Sequence, residues 1–271
     1  LFIPAIAVSL YKYMDKIMIG SMSSKTQLGY YENAEKVINI PLSIITSFGT
    51  VMLPKMSNML ASDSKEEANR YISLSMKYVM CLAFALAFGL ASVGMTFAPV
   101  FWGDAFVVSG TLIMGLAITL PFLSFANVIR TQYLIPSEKD RDYVFSVICG
   151  ALINLIINWL LIAQMGARGA MLGTIAAEAT VCIIQAYSVR KELPVMSYLR
   201  SISPFVLFGL IMFVVVYYTG TIMETGIITL FVQIILGVIL YSTFALLYFV
   251  KNKDSLVCGM INKMAKKIIR G

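Results

Sequence analysis

Of 271 residues, 59% are hydrophobic and 13% are charged, about half the charged share of a soluble domain (roughly 25%). With a mean hydropathy of +0.84, the chain carries more apolar surface than a soluble core of this length can hide, and lipid is its solvent. Histidine is absent, which excludes Ser-His-Asp and Cys-His catalysis, histidine-ligated metals and histidine pH sensing. The cysteines Cys81, Cys149, Cys182 and Cys258 lie too far apart in sequence for a metal knuckle. The net charge of +7 gathers at the ends of apolar runs, which points to membrane orientation and away from nucleic acid.

Taken in chain order, eight segments are long and apolar enough to cross a bilayer as helices: 2–20, 29–53, 72–97, 105–132, 143–164, 170–189, 204–220 and 226–250. The expected fold class is therefore all-α, a polytopic membrane protein of eight transmembrane helices. Leu1 opens directly into the first apolar run without a signal-peptide pattern, and the chain reads as a fragment that lacks an N-terminal portion. Short connectors carry turn residues, as in Ser62-Asp63-Ser64 and Gly166-Ala167-Arg168-Gly169. Counting Lys and Arg by side gives sixteen on the side of 54–77, 130–142, 189–203 and the tail, against Lys25 and Arg168 on the other. By the positive-inside rule the C-terminus is expected in the cytoplasm. From 251 to 271 the tail is basic, and its apolar residues recur at helical spacing. It reads either as an amphipathic helix on the anionic leaflet or as a plain stop-transfer anchor.

Ionisable groups inside the spans carry the functional signal, because a charge in the bilayer interior costs about 2.5–3.5 kcal/mol unless it faces water or a partner. Lys12, Asp15 and Lys16 share one face of the first span, and Glu32, Glu35, Lys36 and Asn39 share one face of the second. At 1.5 Å per residue the charged groups among them lie roughly 6–12 Å below the hairpin that joins the two helices. They either line a water-filled vestibule or pair as a structural cluster. Asn154 and Asn158 read as interhelical hydrogen-bonding amides. Glu178, among small residues, reads as a protonated structural acid or as an ion-coupling site. Asn127 and Arg130 stand near the cytoplasmic end of the fourth span, Arg130 as an interfacial anchor or a greeting point for an anionic substrate. Pro41 and Pro121 are expected to kink their helices, and the last two spans to face lipid or to provide a lipid-accessible groove beside the polar bundle.

The stretch Leu10-Tyr11-Lys12-Tyr13-Met14-Asp15-Lys16, then Gly29-Tyr30-Tyr31-Glu32-Asn33-Ala34 and Val51-Met52-Leu53-Pro54, resembles the start of the second lobe of the bacterial polysaccharide flippases. So does the order Thr131-Gln132-Tyr133-Leu134-Ile135-Pro136, Gly150-Ala151-Leu152-Ile153-Asn154 and Gly173-Thr174-Ile175-Ala176-Ala177-Glu178. These proteins belong to the multidrug/oligosaccharidyl-lipid/polysaccharide exporter superfamily. The resemblance implies the second lobe (1–190) of a fourteen-helix transporter, two additional helices (191–250) and a cytoplasmic tail (251–271). It implies a flippase of the bacterial cytoplasmic membrane that moves polyprenyl-pyrophosphate sugar repeat units by alternating access. Its partners would be that lipid-linked oligosaccharide, membrane lipids and the chain's own missing N-terminal lobe. No cofactor, metal or enzymatic activity is implied. Lys12, Lys16 and Lys36 are candidates for the pyrophosphate, and Asn39, Asn154, Tyr11 and Tyr30 for the sugar. Asp15, Glu32, Glu35 and Glu178 are candidates for ion coupling. A cation-coupled multidrug antiporter and a peptidoglycan-precursor flippase of the same superfamily are the alternatives. An embedded glycosyl polymerase fits less well, for want of a sizeable extramembrane loop, and a scaffold leaves the embedded charges unexplained.

Overall fold

The computed structural model describes residues 13–62, 64–254 and 256–259. Tyr11, Lys12 and most of the basic tail lie outside the described residues. Among those described, every regular element is helical. Helix α1 is described over 13–22. It is followed by α2 (Lys25–Ala61), α3 (Lys65–Trp102), α4 (Val107–Leu116), α5 (Thr119–Ile129), α6 (Asp140–Met165), α7 (Ala167–Ser188), α8 (Val195–Ile222) and α9 (Ile227–Lys251). A single 3-10 turn precedes α4, and a π-helical turn, Arg130–Leu134, extends α5.

Six of these helices are long and apolar enough to cross a membrane, and α4 with α5 makes a seventh span bent by 41°. The span expected over 105–132 is thus broken near Pro121, where a kink is expected, and the full count of eight spans is not reproduced among the described residues. The break falls at Ala117-Ile118, one turn before Pro121. That proline has no N–H to give the Ala117 carbonyl, which instead accepts from the Leu120 amide at 3.1 Å. Pro41, by contrast, sits inside an unbroken α2, and the helix expected over 204–220 begins earlier, at Val195.

Short turns make consecutive spans antiparallel. Ser24 caps α2 by accepting from the Gln27 amide at 3.2 Å. Gln27 in turn accepts from the Ala167 amide at 3.1 Å, so an α2 side chain caps the start of α7. Gly166, at φ +57, makes the tight turn between α6 and α7. That hairpin is packed closely enough that a Cβ on Gly173 would meet Asn158 Oδ1 at 2.1 Å. One apolar cluster joins α1, α2, α4 and the α6–α7 hairpin around Ile19, Ile38, Leu112 and Ile162. Another joins α3, α5, α8 and α9 around Met76, Ile129, Phe205 and Tyr241. The last two helices therefore pack on α3 as well as facing outward, where Ile228, Val238 and Leu247 are exposed.

Two polar clasps tie the side expected to be cytoplasmic. Lys77 Nζ on α3 donates to Asp254 Oδ2 at 2.6 Å and Tyr78 Oη to Asp254 Oδ1 at 2.5 Å. Lys139 and Tyr133 both bond Glu192 across the α5–α6 and α7–α8 connections. The Lys139 hydrogen bond is the main reason the Glu192 carboxyl titrates below its ordinary value.

Candidate functional site

The α1–α2 hairpin brings its two polar stripes together as the spacing predicts. Lys16 Nζ lies 2.7 Å from Glu35 Oε2, both side chains about a quarter exposed. Asp15, one position earlier, turns inward and is only 5% exposed. Its carboxylate is the hub of a network spanning four helices. Tyr31 Oη on α2 and Thr174 Oγ1 on α7 each donate to Oδ2 at 2.8 Å, and Asn158 Nδ2 on α6 donates to Oδ1 at 2.5 Å. Asn158 Nδ2 also donates to Asn154 Oδ1 at 3.0 Å. Asn154 and Asn158 are fully buried, and Asn158 Oδ1 and Asn154 Nδ2 have no hydrogen-bond partner. A charged acceptor held by three donors in apolar surroundings is stabilised by charge-assisted bonds; a buried amide oxygen without a donor is costly.

A cavity of about 130 Å³ lies against this hub, lined by Asp15, Tyr31, Glu35, Asn39, Thr174 and Glu178 among others. A second, of about 180 Å³, is lined by Thr46, Asn127, Arg130, Tyr143, Glu178 and Gln185 among others. Leu42, Leu123 and Glu178 line both, so the two adjoin along one polar track with the buried Glu178 between them. On α7 the track runs from Thr174 to Gln185, roughly 16 Å at 1.5 Å per residue, about half of a 30 Å hydrocarbon core. At its lower end Arg130 donates to Asn127 Oδ1 at 2.7 Å and lies over the Tyr143 ring at 5.5 Å. Gln185 Nε2 donates to Ser146 Oγ at 3.0 Å, and its Oε1 is buried without a partner.

Lys36 and Asn39 are exposed on α2, and the same stripe continues through Ser43, Ser47 and Thr50. Those three hydroxyls donate to carbonyls of their own helix, which keeps them satisfied while presenting lone pairs outward. Among the sugar candidates, Asn39 reaches the upper cavity, whereas Asn154 is enclosed behind Asn158. Tyr30 packs edge-to-face on Phe106 at 5.6 Å and does not line the track. Of the acids, Asp15, Glu35 and Glu178 line the track; Glu32 is half-buried and does not. Tyr31, Thr174 and Gln185 went unnoticed in the sequence. Tyr31 could have been found: it heads the stripe Tyr31, Ala34, Ile38, Pro41, Ile45 that faces the core, while Tyr30 points about 100° away.

Residues 1–111 match the family model described as polysaccharide biosynthesis protein. Similar proteins include the probable low-salt glycan biosynthesis flippase Agl15 of Haloferax volcanii, 23% identical over 88% of this chain and 50% of its own. The putative O-antigen transporter of Shigella dysenteriae is 18% identical over 70% of this chain and 47% of its own. The fold is that of a solved lipid II flippase MurJ in an inward closed conformation, with a TM-score of 0.79 at 18% identity over 92% of this chain and 53% of that one. The chain is thus similar over most of its length to proteins described as glycan and lipid-linked flippases, and it is a multi-pass membrane protein. It spans about half the length of the curated relatives named here.

Proposed function

We propose that this chain forms the second lobe (1–190) and two additional helices (191–250) of a lipid-linked oligosaccharide flippase working by alternating access. The observation that carries the reading is the polar track. Buried Asp15, Glu178, Asn127 and Gln185 all line two adjoining cavities, and groups so placed in a membrane serve a substrate or ion route. A partner lobe would close the open side, where α2 presents its polar stripe. The pyrophosphate of a polyprenyl-linked substrate needs fixed positive charge, which Lys16 and Lys36 offer at the hairpin end and Arg130 at the other. Asn39 and the α2 hydroxyls suit sugar hydroxyls. The prenyl tail stays in lipid while the head group crosses. The protein resides in the cytoplasmic membrane of its cell, a bacterial one by the sequence resemblance, with the tail on the cytoplasmic side, in keeping with the sixteen-to-two charge bias.

Ion coupling centres on Asp15. Turning the Asn158 amide over would exchange its donor for its orphaned oxygen. Asp15, Thr174 Oγ1, Asn158 and Asn154 would then offer a set of hard oxygens with one net negative charge, suited to a single monovalent cation such as Na⁺.

Deleting the full-length gene from its host tests the first reading. Lipid-linked oligosaccharide should accumulate on the cytoplasmic face as surface polysaccharide disappears, and a Lys16→Ala/Lys36→Ala variant at wild-type abundance should reproduce the block. Normal surface polysaccharide together with new sensitivity to cationic drugs would overturn it in favour of the antiporter.

A further inference from the structure

Away from the polar track, where α3, α8 and α9 pack, two more cavities adjoin. The upper one, about 320 Å³, opens between the ends of α3 and α8 and the start of α9, and its walls include Thr96, Asp104, Tyr217, Thr221 and Gln233. The lower one, about 400 Å³, continues between α3 and α9 past Leu86, Leu90, Ile234 and Val238. Ser92 and Gln233 line both.

The upper cavity presents acceptors. Ser92 Oγ and Thr221 Oγ1 donate their protons to Gly89 O and Tyr218 O of their own helices, which leaves lone pairs for the cavity. Gln233, 1% exposed, donates Nε2 to Val216 O at 3.0 Å, and its Oε1 has no partner. Asp104 is exposed at the rim. Among the described residues, neither cavity is lined by a lysine or arginine. Such a site calls for a ligand rich in N–H donors and positively charged, and a primary ammonium supplies three such bonds.

The depth fits a lipid. Gln233 lies roughly 9 Å along α9 from its start, near one membrane surface, and the apolar cavity runs roughly 13 Å further, to Ser242. We propose that α3, α8 and α9 hold one phospholipid with a primary-amine head group, its ammonium in the acceptor-lined cavity and a chain in the apolar one. It would come from the leaflet on the side of the Gly103 and α8–α9 turns, with its phosphate at the open mouth. This site is independent of the flippase reading.

Native mass spectrometry of the purified full-length protein, with lipids of identical chains, tests it. Phosphatidylethanolamine should be retained at least tenfold better than phosphatidylcholine, whose trimethylated nitrogen has no N–H to give. Asp104→Asn and Gln233→Leu should each remove most of that preference, about tenfold for a charge-assisted bond. Val238→Trp, on the exposed wall of the apolar cavity, should weaken binding of both lipids. Asp104 is a surface residue, so its variant reports even if Gln233→Leu fails to fold. Equal retention of the two lipids, stronger binding of phosphatidylglycerol, or full competition by chain-free phosphoethanolamine would each overturn the proposal.

Discussion

Asp15→Asn separates the charge of the hub from its shape. The wild-type carboxylate accepts from Tyr31, Thr174 and Asn158. In the variant the new amide oxygen can face the Asn158 amide, and its NH₂ can face Tyr31 and Thr174, whose hydroxyls can turn to accept. All bonds survive in neutral form, so the expected cost is about 1–2 kcal/mol, the difference between charge-assisted and neutral hydrogen bonds. Asp15→Ala instead opens a void and strips the anchor, at about 2–4 kcal/mol. The cation proposal adds a sharper expectation. With Na⁺ at ten times its dissociation constant, linkage stabilises the wild type by about 1.4 kcal/mol. At about 2–4 °C per kcal/mol for a large domain this raises Tm by about 3–6 °C over choline at equal ionic strength. Asp15→Asn should fold, run as a monodisperse peak and show no Na⁺-dependent rise. A wild-type protein indifferent to Na⁺, or an Asp15→Asn variant that keeps the full shift, would refute the reasoning that an orphaned Asn158 oxygen beside a buried carboxylate marks a cation seat.

Three further outcomes follow from the same geometry. Lys16→Glu and Glu35→Lys should each lower membrane abundance modestly, because a pair about a quarter exposed is worth about 1 kcal/mol; immunoblots of the double exchange should show abundance restored while export stays impaired. Gly173→Ala places a Cβ 2.1 Å from Asn158 Oδ1, so it should cost about 1–3 kcal/mol by overpacking and abolish the Na⁺ response, both read from thermal unfolding. Burial pushes the Asp254 carboxyl up, but the hydrogen bonds from Lys77 and Tyr78 outweigh it and hold the group below its ordinary value. Its contribution is therefore complete above the unfolded pKa of about 3.9 and is lost as pH falls through the lower folded value. Wild-type and Asp254→Asn unfolding temperatures should differ near neutrality and converge on acidification.

The helical architecture was legible because hydropathy is a sum over about 20 residues and tolerates local error. The α1–α2 juxtaposition was legible for a related reason: i, i+3, i+4 spacing fixes a shared face and a tight hairpin fixes relative depth, although whether the stripes paired or lined a vestibule stayed open. What stayed hidden depends on contacts between helices distant in sequence. Asp15 and Thr174 are 159 positions apart, and Asp15 and Asn158 are 143 apart, so no local pattern couples them. A bend ahead of Pro121 was expected, but so was one at Pro41, where α2 runs on unbroken. A proline weakens the turn before it, yet whether the helix breaks, as ahead of Pro121, or runs on, as at Pro41, is decided by what packs around the freed carbonyl.

The weakness of the Lys16–Glu35 pair is itself an argument about mechanism. A fully buried ion pair would lock the hairpin, since parting it strands two charges. A pair about a quarter exposed is worth about 1 kcal/mol, less than the charge-assisted bonds a pyrophosphate would offer the same ammonium. Lys16 can therefore exchange Glu35 for a substrate anion at small cost. Glu35 is then released toward the cavity that Asp15 and Glu178 also line. There its negative charge favours the uptake of a cation. On the proposed mechanism, substrate binding at the hairpin end and cation binding at the Asp15 hub would thereby be coupled through one shared carboxylate. The coupling carries a definite sign: each ligand should tighten the other, by equal factors in both directions.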